Sequence, residues 1–143
     1  MYKSPSALFT HPTLEVDWVS GSEFAAHRTG GPKMRIDGDA KVAPSPVDVL
    51  LAALATCAAT DVVTILKKQR TPVTALHVAV EAQRVETTPR RLAAAVLHFT
   101  LAAPGTTAAK VERAVELAVT KYCSVRSSLL PDASVTWTIN LKS

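Results

Sequence analysis

Apolar side chains recur at every second position from Leu14 through Val16 to Trp18, with Glu15 and Asp17 between them. That two-residue period predicts a strand with one face covered. Ser20-Gly21 supplies a turn, and Glu23 to His27 reads as the returning strand. Thr29-Gly30-Gly31-Pro32 turns the chain again, into a short third strand over Lys33 to Asp37 with Met34 and Ile36 on one face. Residues 1–12, with Pro5 and Pro12 and no period, read as an N-terminal arm, and Asp37 to Pro44 reads as a polar loop.

The pattern then changes period. Ser45-Pro46-Val47-Asp48 is a helix start: Ser45 suits the N-cap, Pro46 the first helical position and Asp48 the acidic place of a capping box. The helix should run to about Lys68. Its first half, Val49 to Ala55, is apolar on every side, so all-round burial is expected. One domain of this size can hardly cover such a helix alone, which predicts a second subunit against it. Val47 to Ala59 is interrupted by Asp48, Thr56 and Cys57, and reads as too short and too polar to span a bilayer.

Beyond Pro72, Leu76, Val78 and Val80 alternate with polar or small residues, a strand to about Val85. Thr87-Thr88-Pro89-Arg90 turns the chain into a strand over Leu92 to Leu101, with Ala95, Leu97, Phe99 and Leu101 on one face. After Pro104-Gly105, Thr107 to Tyr122 reads as an amphipathic helix whose buried stripe is Val111, Ala114, Val115, Ala118 and Tyr122. Cys123 follows, then a short helical turn from Ser124 to Leu130. A last strand alternates Val135, Trp137, Ile139 and Leu141 with polar residues. The order βββ-α-ββ-α-β predicts an α+β fold in a single domain over residues 1–143.

Composition narrows the function. In 143 residues, 48% are hydrophobic and 20% charged, enough for a core and against disorder. The net charge of +4 is scattered, and with 5% aromatics it does not make a nucleic-acid surface. Met1 to Pro5 does not lead into an apolar signal region, so a cytoplasmic location is expected. Lasting structural disulfides are rare in that compartment, which leaves Cys57 and Cys123 as apolar fillers or as reactive thiols. Cys57 shares a helix face with Leu50, Ala53, Leu54, Asp61 and Thr64. Cys123 is flanked by Lys121 and Arg126, which would favour its thiolate. Neither has the spacing of a metal motif, and no cofactor is expected. His77 and His98 fall on strands as sheet-face residues, and there is no Gly-x-Ser-x-Gly nucleophile elbow.

Two blocks carry a resemblance. Pro44 to Cys57 (PSPVDVLLAALATC), continuing as Asp61 to Lys68 (DVVTILKK), resembles the first cysteine helix of the OsmC/Ohr family, in its less characterised OsmC-like branch. Lys110 to Leu117 (KVERAVEL) with Lys121 to Val125 (KYCSV) resembles that family's second cysteine block. The resemblance spans about residues 13–142. It implies an intertwined homodimer with long central cysteine-bearing helices. It also implies a thiol peroxidase: Cys57 attacks an organic hydroperoxide and becomes a sulfenic acid, Cys123 condenses with it to a disulfide, and a dithiol reduces the bond. The family's activating Arg has counterparts only by region, in Arg28 and Arg35, with Arg126 a third candidate, and its Glu has only Asp48. Ser124 stands where the hydroperoxide branch usually has Pro. The alternative is a protein of the same fold that binds a small apolar ligand or senses redox state through its thiols.

Overall fold

Ten elements make up the part of the chain, residues 14–143, that a computed structural model describes. The arm expected over residues 1–12 lies outside the described residues. In chain order they are β1 (Glu15–Ser20), β2 (Glu23–His27), β3 (Met34–Asp37), α1 (Pro46–Lys68), β4 (Ala75–Arg84), β5 (Leu92–Ala102), α2 (Ala108–Leu117), a π-helical turn (Ala118–Tyr122), the one-turn helix α3 (Ser124–Ser127) and β6 (Ser134–Lys142). The fold is α+β, in the expected order. The residues group into two compact units that divide between Leu50 and Leu51, inside α1.

The first unit is an antiparallel sheet in the order β1-β2-β3. Gly21, at φ +51, allows the tight β1–β2 turn, and Trp18 Nε1 donates to its carbonyl at 2.9 Å. Cross-strand rows Trp18–Phe24–Ile36 and Val16–Ala26–Met34 put the apolar residues on one face, as the alternation predicts. Below β3 the polar loop is folded around one carboxylate. Asp37 is buried and accepts the amides of Asp39 and Lys41 at 2.9 Å and of Val42 at 3.0 Å. Those amides, Val42's first, hold its carboxyl below the usual range. The loop leads to the capping box: the Asp48 amide donates to Ser45 Oγ at 3.1 Å, and the Ser45 amide donates to Asp48 Oδ2 at 2.9 Å.

The second unit is built on the sheet β4-β5-β6, with β4 antiparallel and β6 parallel to the central β5. The expected inner face of β5 is buried: Ala95, Leu97, Phe99 and Leu101. They share one core with Leu54, Ala58, Val62 and Leu66 of α1 and with Val111, Ala114 and Val115 of α2. Thr107 caps α2 by accepting the Lys110 amide at 3.3 Å.

Its own chain leaves one side of α1 open, with Leu50 and Ala52 exposed in the first half and Thr56, Thr60 and Thr64 beyond. Two expectations are corrected here. The 23 residues of α1 are long and apolar enough, by length and composition alone, to cross a membrane, so shortness is no argument against that. What the structure shows is its Leu54–Leu66 stripe packed into a protein core. Finally, α2 does not run regularly to Tyr122. It gives way at Ala118 to the wider π turn, which rotates Tyr122 off the buried stripe to 49% exposure. Val119 and Cys123 occupy the core instead.

Candidate functional site

Cys57 stands in the regular part of α1, three residues beyond buried Leu54 and three before exposed Thr60. It therefore sits at the margin between the helix's packed and open faces, and it is partly exposed. One turn to either side on its face stand Ala53, Leu54 and Asp61, with Ala58, Thr56 and Thr60 beside them in the helix. The threonine hydroxyls donate back to the carbonyls one turn earlier, Thr56 to Ala52 and Thr60 to Thr56, both at 2.7 Å. Those bonds use the hydroxyl donors within the helix and leave no spare donor among these threonines.

Cys123 is made differently. The π turn ends at Tyr122, and Cys123 leaves helical geometry at φ −72, ψ 102 to become the N-cap of α3. Its sulfur accepts the Arg126 amide at 3.4 Å. The thiol is directed at the Leu54 carbonyl, 3.9 Å away. That carbonyl belongs to the turn of α1 that carries Cys57, so the second cysteine lies against the helix of the first. Both thiols are free. Cys123 is only 4% exposed. Burial pushes its thiol above the ordinary value, the Arg126 amide opposes that, and the neighbouring Cys57 thiol raises it further.

The structure thus brings together Cys57 and Cys123, from positions 66 residues apart in sequence. It gives two of the charged candidates, Arg35 and Asp48, local partners. Arg28 is exposed in the turn after β2, where its carbonyl accepts the Gly31 amide at 2.8 Å. Arg35 pairs with Glu23 across β2 and β3. Asp48 closes the capping box, and the Ser45 amide holds its carboxyl below the usual range. The expectation that flanking basic residues favour the Cys123 thiolate is corrected. The Lys121 ammonium lies 5.4 Å from the Tyr122 ring centre, and the group at the sulfur is the Arg126 backbone amide, not a cation. Sequence reasoning missed that contact because cysteine is not among the usual N-cap residues. The available signal was the short helical turn expected directly after Cys123. His98 lies on the sheet face as expected, half-buried, with Nδ1 2.7 Å from Thr138 Oγ1.

Comparison with known proteins agrees with this architecture. The OsmC-like protein family model matches residues 37–140. Protein YhfA of Escherichia coli K12 is 37% identical over 122 residues, covering 85% of this chain and 91% of that one. The OsmC-like protein of Mycoplasma pneumoniae superposes with a TM-score of 0.79 at 14% identity, over 94% of this chain and all of that one (100%). The organic hydroperoxide resistance protein OhrB of Bacillus subtilis superposes with a TM-score of 0.57 at 16% identity, over 94% and 99% of the two chains. At those identities the two structures share a fold with this chain, whereas the extent of the family match and the YhfA likeness establish descent. The chain belongs to the OsmC/Ohr-like family.

Proposed function

We propose that this protein is a thiol peroxidase that reduces organic hydroperoxides through Cys57 and Cys123. The observation that carries the reading is the placement of two free thiols as neighbours, one at the margin of α1 and one in the core beneath it. In the first step the Cys57 sulfur attacks the peroxide and gives Cys57–SOH and an alcohol. In the second the Cys123 thiol displaces water from the sulfenic acid, and the disulfide forms. A dithiol then supplies two electrons and two protons and restores both thiols. The apolar residues that share the Cys57 helix face, Leu50, Ala53 and Leu54, suit an alkyl hydroperoxide better than hydrogen peroxide.

The open stripe Thr56–Thr60–Val63–Thr64 supports a homodimer, because small side chains without spare donors let a second α1 approach closely. Sedimentation should then give twice the 15.2 kDa chain mass. A monomer would remove this assembly. A cytoplasmic site of action fits the reduced thiols that the cycle starts from.

A second reading is favoured by one observation: Arg35, one of the three candidates for the activating cation, is paired with Glu23. Without an activating cation the same fold would bind a small apolar ligand or sense oxidation. The experiment is intact mass of the fully reduced protein after one equivalent of cumene hydroperoxide. Peroxidase chemistry predicts a prompt loss of about 2 Da with the bond mapped to Cys57 and Cys123. Two free thiols after minutes would leave the binding reading.

A further inference from the structure

The two sulfurs of the disulfide are not equivalent targets, and the difference assigns the step that resets the protein. We propose that the reducing dithiol attacks Cys57 Sγ, and that Cys123 leaves as a thiolate received by the Arg126 amide. The inference rests on the reading that the two cysteines cycle through a disulfide.

Thiol–disulfide exchange is a displacement: the incoming sulfur approaches on the line of the S–S bond, from the side opposite the leaving sulfur. Attack on Cys123 would need an approach through the core that holds Cys123 with Leu54, Val115 and Val119. Attack on Cys57 comes from the margin of α1, where the thiol is partly exposed. A second copy laid along the open stripe of α1 would narrow that approach without reversing the order, since it cannot uncover a sulfur buried inside its own chain.

The leaving group is provided for. As the S–S bond breaks, its electron pair goes to Cys123 Sγ, and the reductant sulfur bonds to Cys57 Sγ in a mixed disulfide. The new thiolate appears where the Arg126 amide already donates at 3.4 Å. That donor offsets part of the cost of forming a charge in the core. The second thiol of the reductant then displaces Cys57, and the Cys123 thiolate takes up a proton. Sequence position alone does not show this asymmetry. It comes from the π turn, which carries Cys123 inward, and from α3, whose first turn supplies the amide.

The test uses the full chain oxidised with diamide, which makes the disulfide without a peroxide. The oxidised protein is mixed briefly with limiting 2-mercaptoethanol, quenched in acid and mapped by mass. The expected adduct sits on Cys57, with Cys123 free. An adduct on Cys123 overturns the proposal, and so does failure of diamide to join the two cysteines. A chain that joins them with diamide and carries the adduct on Cys57, yet ignores hydroperoxides, supports this inference and refutes the peroxidase reading.

The amide is tested by Arg126→Pro, which deletes the donor, against Ser124→Pro, which puts proline at the first helical position and keeps it. Reduction by the monothiol should slow roughly tenfold or more in the first and change less than about twofold in the second. In a Cys57→Ser background, the ultraviolet absorbance of the Cys123 thiolate should appear at higher pH in Arg126→Pro alone. Equal behaviour of the two proline variants would remove the amide from the step.

Discussion

The segments that carry the two cysteines are built on opposite plans. Around Cys57 the backbone is an uninterrupted helix of small residues, and the thiol lies at the edge of the packed face. Around Cys123 the backbone changes three times within a dozen residues, from α2 to the π turn, to an extended residue, to α3. The thiol there is buried, and two backbone groups, the Leu54 carbonyl and the Arg126 amide, lie against its sulfur. Regular structure suffices to display a sulfur at a margin. Placing a second sulfur beneath it, at a fixed point in a core, takes an irregular chain path. The same contrast divides the chemistry: the accessible thiol meets reagents from outside, and the buried one meets only its neighbour.

The largest expected effect breaks that division outright. Cys57→Ser should abolish hydroperoxide consumption, while Cys123→Ser should consume about one equivalent and stop, leaving a sulfenic acid that dimedone traps. Activity equal to wild type in Cys57→Ser would show that the accessible thiol is not the nucleophile. Next in size is the core that separates the two. Leu54→Ala removes a fully buried side chain but keeps the carbonyl that faces Cys123. Urea unfolding should register a loss of about 2–5 kcal/mol. A loss under 1 kcal/mol would mean that the core beneath Cys57 is loose, and that burial does not set the two thiols apart.

A subtler test reads the thiols directly. Burial holds the Cys123 thiol above its ordinary value. Near neutral pH, iodoacetamide should therefore label Cys57 well before Cys123, with the gap closing as the pH climbs. The linkage has a definite sign. Because the folded state holds this proton more tightly than the unfolded chain, whose thiols titrate near about 8.5, the stability it contributes is complete below that value. It is lost as the pH rises through the higher folded value. Single-cysteine variants read by chemical unfolding at pH 7 and pH 10 would show it: Cys57→Ser, which keeps Cys123, should lose more stability between the two than Cys123→Ser.

Much of this contrast was legible beforehand, and unevenly. The helix of Cys57 announces itself through Ser45, Pro46 and Asp48 at its start and an apolar run behind them, all local signals with strong physical causes. The strand faces were legible because Leu97, Phe99 and Leu101 keep strict alternation. The surroundings of Cys123 were not. A π turn has no sequence signature comparable to a cap or a period, so Tyr122 fell on the predicted stripe and in the structure turns outward. The flanking Lys121 and Arg126 suggested an electropositive thiol because charge is visible in sequence, while a backbone amide is not. The open side of α1 was legible too, because a helix apolar on every side in a chain this small has a face that its own domain cannot cover.

The smallest expected effect separates scaffold from chemistry at the start of α1. Asp48 is the only acidic candidate where the family resemblance implies one, near the start of the Cys57 helix, yet its carboxylate accepts the Ser45 amide in the capping box. If capping is its whole role, Ser45→Ala should cost about 1 kcal/mol of stability. Asp48→Ala should lower the melting temperature in the same direction, and Asp48→Asn less, since an amide oxygen still accepts. None of the three should change the rate of peroxide consumption per folded molecule, because each alters how the helix begins and leaves the turn that bears Cys57 untouched. A rate that falls in Asp48→Ala and Asp48→Asn while Ser45→Ala keeps it would reassign the carboxylate. The chemistry at Cys57 would then draw on a charge from the first turn of its own helix, and the contrast between a plain first cysteine and an elaborately held second one would narrow.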